Sequence, residues 1–177
     1  MAVLVEAISV VIKAESLLKA FNDDWEGFKA IVPNQTLCAD NELVRVGFMT
    51  PDDVESFIKK LEGFGLIYTE SGKSIDIAVV DQIKGPTNKC DWLEFGHVNM
   101  NNDGERVATC RLVNSNLMEI VTPDEWEYEN SLSCSYGFVP TEHKDKGLKY
   151  LRHENGLDVY LNPVTGEEVF VGRTGDL

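Results

Sequence analysis

A chain of 177 residues, 43% hydrophobic and 26% charged, has the length and composition of one globular domain, or of one domain with a small appendage. Sixteen basic residues against thirty acidic ones give a net charge of −14. That balance argues against direct nucleic-acid binding, which needs Lys and Arg at the phosphates, and suits either attraction to a basic protein surface or plain solubility through self-repulsion. No run approaches the roughly 20 apolar residues of a membrane span.

The opening MAVLVEAISVVIKAESLL has no basic residue ahead of its apolar stretch, and Glu6 interrupts it, so it reads as a strand rather than an export leader. Residues 6–13, rich in β-branched side chains, are the first expected strand. Ala14, Leu17, Leu18, Phe21, Trp25 and Phe28 follow at helical spacing as one stripe, which Asn22-Asp23-Asp24 and Gly27 can divide and Pro33-Asn34 ends. LVRVGFM is a second strand. TPDDVESFIKKLEGFG carries every sign of a helix. Thr50 is its N-cap, Pro51 its first residue, Asp52 and Asp53 lie at its positive end, and Gly63 and Gly65 stop it. Its buried stripe is Val54, Phe57, Ile58 and Leu61.

LIYTE and SIDIAVVDQ about Ser71-Gly72 read as a hairpin, and DWLEFGHVN with RVATCRLV about Asp103-Gly104 as another. TPDEWEYEN suits a short helical turn, with Thr122 as cap, and SLSCSYGFV a strand. LKYLRHE, LDVYL and EVFVGR, joined by Asn155-Gly156 and NPVTGE, read as three strands. The last 30 or so residues resemble a WW module without its two tryptophans, and read as a flap over a sheet edge. The expected fold is α+β: a mixed or mostly antiparallel sheet, two amphipathic helices on one face and a C-terminal three-stranded meander. Residues 1–140 would form the core domain and 141–177 the appendage, packed on it.

Cys38, Cys90, Cys110 and Cys134 are far apart with no CxxC pair, which points to reduced thiols in a cytosol and away from a thiolate zinc site. His97, His143 and His153 have no metal-ligand spacing, and no phosphate cradle or nucleophile elbow is present. No cofactor and no metal is expected.

CDWLEFGH, residues 90–97, concentrates a thiol, two carboxylates and an imidazole. On a strand, Asp91, Leu93, Phe95 and His97 share one face and Cys90, Trp92, Glu94 and Gly96 the other. Asp91 and His97 would then be about 20 Å apart, so the octet is not a catalytic unit by itself. A wider cluster of Asp76, Asp81, Asp91 and Glu94, with His97, is the candidate for a carboxylate site that binds a metal or divides acid and base work. The competing reading has Asp81 and Asp91 bonded to the backbone of nearby turns.

EAISVVI, PNQTLCADNELVRVGFMTPDDVESFIKKLEGFGL and DIAVVDQIKGPTNKCDWLEFG together resemble a family of bacterial cytosolic proteins to which no activity is attached. The resemblance covers residues 6–97 and implies a bacterial, intracellular setting with GPTNKCDWLEFG as a hallmark. Between Arg111 and Lys144 there is no basic residue, while Glu119, Asp124, Glu125, Glu127, Glu129 and Glu142 are acidic. The first functional expectation is therefore a cytoplasmic interaction protein of the immunity or inhibitor kind. It would meet a basic partner with Trp92, Trp126, Glu125, Glu127 and Glu129. The second is a small enzyme or ligand binder built on the carboxylate cluster. A homodimer through an exposed sheet edge is the third.

Overall fold

The computed structural model describes residues 2–100, 105–115, 119–134, 137–140, 149–154, 157–161 and 168–172. The described residues form an α+β fold of three α-helices and several mostly antiparallel sheets. In chain order the first half contains β1 (Ala2–Val5), β2 (Ile8–Lys13), α1 (Ala14–Ala20), α2 (Trp25–Ile31), β3 (Cys38–Ala39), β4 (Leu43–Phe48) and α3 (Pro51–Gly63). Then follow β5 (Thr69–Glu70), β6 (Lys73–Ser74), β7 (Ile77–Asp81), β8 (Gly85–Pro86), β9 (Leu93–Asn99), β10 (Arg106–Leu112) and β11 (Ile120–Val121). A 3₁₀ turn at Tyr128–Asn130 leads to β12 (Gly137–Pro140), β13 (Lys149–Glu154), β14 (Leu157–Leu161) and β15 (Glu168–Gly172).

The centre is a five-stranded sheet in the order β3-β4-β2-β7-β8, with every neighbouring pair antiparallel. It is covered on both faces, which is why ISVVI and IAVV run apolar without alternation. Ile8, Val10 and Ile12 face a core shared with all three helices, to which Leu17, Phe28 and Phe57 contribute. Val11, Ala78 and Val80 face a second core against Val3, Val5 and Cys110 of the four-stranded sheet β11-β1-β10-β9.

The strand expected over 6–13 is β2, and the residues before it form a separate strand, β1, in another sheet. β1 pairs with β10 and β2 with β4 and β7, and the chain changes sheets at Glu6–Ala7. Ala7 takes a left-handed φ of 51°, and its N–H donates to Gln82 Oε1 at 2.9 Å. The helical stripe also divides. Asn22 and Asp23 have φ of 53° and 63°, and Asp24 caps α2 by accepting from the Gly27 N–H at 2.9 Å. Three helices therefore stand where two were expected. α1 and α2, seven residues each, are too short to persist alone and hold their shape by packing. α3 begins as its sequence dictates, with Thr50 Oγ1 accepting from the Asp53 N–H at 3.3 Å.

The LIYTE hairpin shrinks to a two-residue ladder, β5–β6, about Ser71-Gly72, while β7 joins the centre of the main sheet. β9 and β10 pair from Arg106↔Asn99 to Leu112↔Leu93, and their expected turn at Asp103-Gly104 lies outside the described residues. So do Glu142, His143 and the Asn155-Gly156 and NPVTGE turns. Among the described residues of SLSCSYGFV, Gly137 onward is strand and Ser131–Cys134 form a turn. β13, β14 and β15 are successive antiparallel neighbours, and β12 adds in parallel to β15 across the boundary expected at residue 140. Val159 of β14 is fully buried in the helix-side core, with Leu132 packed beside it. Among the described residues no helix is long and apolar enough to cross a membrane.

Candidate binding pocket

Two charged residues interrupt the apolar strands of the first 50 residues, Glu6 after AVLV and Arg45 within LVRVGF, and the fold brings both to one place. Arg45 is only 2% exposed. Its Nε donates to Ser9 Oγ at 2.9 Å, Nη1 to the Thr36 carbonyl at 3.0 Å and Nη2 to the Glu6 carbonyl at 3.1 Å. Burial lowers its pKa from the usual guanidinium value, opposed by the neighbouring Cys38 and Glu6, and the group stays charged. Gly47 makes room for it, since a Cβ there would lie 2.5 Å from Nη2.

The Glu6 carboxylate, 8% exposed, reaches across 120 and 127 positions of sequence. Oε1 accepts from Trp126 Nε1 at 2.8 Å, and Oε2 accepts from the Ser133 N–H at 2.7 Å and its hydroxyl at 2.6 Å. One buried side chain thus fixes the segment 126–133 against the β1–β2 junction.

Between them opens a pocket of about 650 Å³. Glu6, Ala7, Arg45 and Gly47, all buried, form its floor. Phe48, Met49, Pro123 and Leu132 supply apolar wall, Asn34 and Thr36 a polar one, and Trp126 an indole. Asp53 from the first turn of α3 and Asp124 and Glu125 from the opposite segment stand exposed at its rim. The turn carrying them closes with the Trp126 N–H on the Pro123 carbonyl at 3.2 Å, and Glu125 takes a φ of 62°. Ala7 and Glu125 are both non-glycine residues in the left-handed region, each at a cost of roughly 1–2 kcal/mol, and both line this one pocket. Four carboxylates meet one guanidinium here, and among the described residues no lysine lines the pocket.

Of the residues expected to meet a partner, Glu125 and Trp126 line the pocket; Glu127 and Glu129 are exposed on the same segment outside it. Trp92 is elsewhere. Its Nε1 donates to the Ser74 carbonyl at 3.1 Å, and Lys13 Nζ lies 4.9 Å from its ring centroid. Lys13 ends β2 and Glu6 precedes its start, so the two tryptophans are separated by on the order of 20 Å of strand.

The carboxylate cluster does not converge. Asp76 Oδ2 accepts from the Ile67 N–H at 2.8 Å, and Asp81 Oδ2 from the N–H groups of Ile83 and Lys84 at 2.9 and 2.7 Å, the local capping role. Asp91 lies 3.3 Å from Lys73, and Glu94 2.8 Å from Arg111 on the neighbouring strand. His97 Nε2 is 2.9 Å from the Gln82 carbonyl. Among the described residues no three His, Cys, Asp or Glu side chains are grouped to hold a metal ion. The four cysteines are free thiols, with burial raising the pKa of Cys38, Cys90 and Cys110.

Sequence reasoning did not place Glu6, Arg45 or Asp53 in a site, and it named Asp124 only as part of the acidic run. A lone charge inside an otherwise apolar strand was the available signal for the first two, because such a charge is retained only when its partners are built around it. Compared with protein-family models, with curated proteins and with solved structures, the chain matches none.

Proposed function

We propose that the protein is an acidic interaction protein that binds a basic protein partner, of the immunity or inhibitor kind, in the reducing setting its free thiols suit. The observation that carries this reading is the Trp126 pocket. It joins an indole, apolar walls and an acidic rim on one concave surface, the combination that anchors a cationic side chain at an interface. The net charge of −14 would steer a basic partner toward the protein and raise the association rate.

The test separates the pocket from bulk charge. Asp124→Lys/Glu125→Lys reverses two rim charges, and Glu15→Lys/Glu62→Lys reverses two exposed charges outside the pocket. Retention of one basic protein by the wild type and the second variant, lost with the first, supports the reading. Equal loss with both variants reduces the interaction to non-specific charge and contradicts it.

A further inference from the structure

The protein contains its own example of a satisfied tryptophan. Over Trp92 the cation is supplied from within, by Lys13 Nζ at 4.9 Å. Trp126 has the reverse surroundings. The one positive group among its pocket's lining residues is Arg45, which is buried and committed to Ser9, Thr36 and Glu6. With Glu6 balancing Arg45 at the floor, the negative charges of Asp53, Asp124 and Glu125 remain at the rim, and among the described residues no further cation lines the pocket to offset them.

We infer that the pocket receives one arginine side chain of the basic partner. The inference rests on the interaction reading above and names what that site recognises. The guanidinium lies against the Trp126 indole and between the rim carboxylates. Its methylenes cover Phe48, Met49, Pro123 and Leu132.

Two observations select arginine over lysine, and a third favours binding of either cation. The rim carboxylates come from two separate elements, α3 and the 123–126 turn, and a planar fork with five donors reaches both, where an ammonium is a single point of charge. The apolar wall rewards a long stem with a weakly hydrated head. The indole is fixed in advance through Glu6 Oε1, so little ordering remains to oppose binding.

The experiment measures the affinity of the full chain for Nα-acetyl-arginine amide, and for the equally blocked lysine and citrulline, by calorimetry at low salt. The expected order is arginine over lysine by about tenfold, with the uncharged isostere citrulline not bound measurably. Asp124→Asn/Glu125→Gln, changed only at exposed positions, should lose the arginine binding, and Trp126→Leu should do the same. Equal affinity for arginine and citrulline overturns the charge recognition. Arginine binding that survives both variants places it outside the pocket and overturns the assignment. No arginine binding, with the basic partner still captured, removes this inference and leaves the interaction reading standing. Loss of both removes the two together.

Discussion

Trp92 and Trp126 keep similar company in the sequence, CDWLE and DEWEY, and lie at opposite ends of one strand with opposite surroundings. Trp92 is closed: its indole N–H is held by the Ser74 carbonyl and Lys13 sits over its ring. Trp126 is also anchored through its N–H, but to a buried carboxylate, and it faces an acid-rimmed space of about 650 Å³. Local acidity around a tryptophan therefore does not fix its surroundings. In the proposed reading, what decides recognition is whether the fold supplies the compensating cation itself. At the Trp92 end a lysine is the last residue of the strand; at the Trp126 end the one cation lining the pocket among the described residues is buried in the floor.

The comparison breaks most severely at that floor. Arg45→Ala removes a donor from Ser9 Oγ and from the Thr36 and Glu6 carbonyls, and opens a void. It is expected to cost about 3–5 kcal/mol of stability, measured by urea denaturation, and to abolish partner binding. A loss below about 1 kcal/mol would mean that the guanidinium does not organise the site.

The two tryptophans should then separate cleanly. Trp126→Ala is expected to weaken partner binding by about 2 kcal/mol or more, near 30-fold, while Trp92→Ala leaves affinity unchanged and lowers stability alone. Equal effects on binding would erase the distinction between the two ends.

A smaller change sharpens the role of Glu6. Glu6→Gln keeps the size but turns one acceptor oxygen into a donor that faces Trp126 Nε1 or the Ser133 donors. About 1–2 kcal/mol of stability should be lost, and the thermal midpoint reads it. The indole should also lose its fixed orientation, seen as a red-shifted or broadened emission. An unchanged midpoint would show that the carboxylate does not hold the wall.

Thiol chemistry gives the mildest contrast. Cys90, beside Trp92, has its pKa raised by burial, as have Cys38 and Cys110, so each holds less thiolate at pH 8 than an ordinary thiol. Raising the pH through the ordinary thiol range should therefore leave these three slow. Cys134, exposed next to Ser133, should react first, and partner binding should protect it. Mass spectrometry of alkylated peptides distinguishes the sites, and Cys90 reacting fastest would contradict the closed state of its end.

How much of this was legible in the sequence follows from how local each cause is. α3 was fully legible because its cap, its proline and its stripe lie within 16 residues. The β9–β10 hairpin showed in two alternating runs. The break of the first helical stripe was visible in Asn22-Asp23-Asp24, though its depth was not. The switch of sheets at Ala7 was hidden, because an alanine with φ of 51° is imposed by partners such as Gln82, 75 positions away. The carboxylate cluster looked plausible on paper because Asp76, Asp81, Asp91 and Glu94 are near in sequence. Each instead finds a nearer partner of its own. Trp126 and Glu125 could be named from the acidic run. Their floor could not, since Arg45 lies in β4 and Glu6 at the β1–β2 junction, and the burial of both depends on how the two sheets pack.

The central claim is that recognition takes place at Trp126 and not at Trp92. The most direct measurement follows the three indole N–H resonances of ¹⁵N-labelled protein during titration with a short arginine-rich peptide at low salt. Movement of the Trp126 resonance alone, with Trp25 and Trp92 still, is the predicted result. A shift confined to Trp92, or equal shifts in all three, would contradict the account.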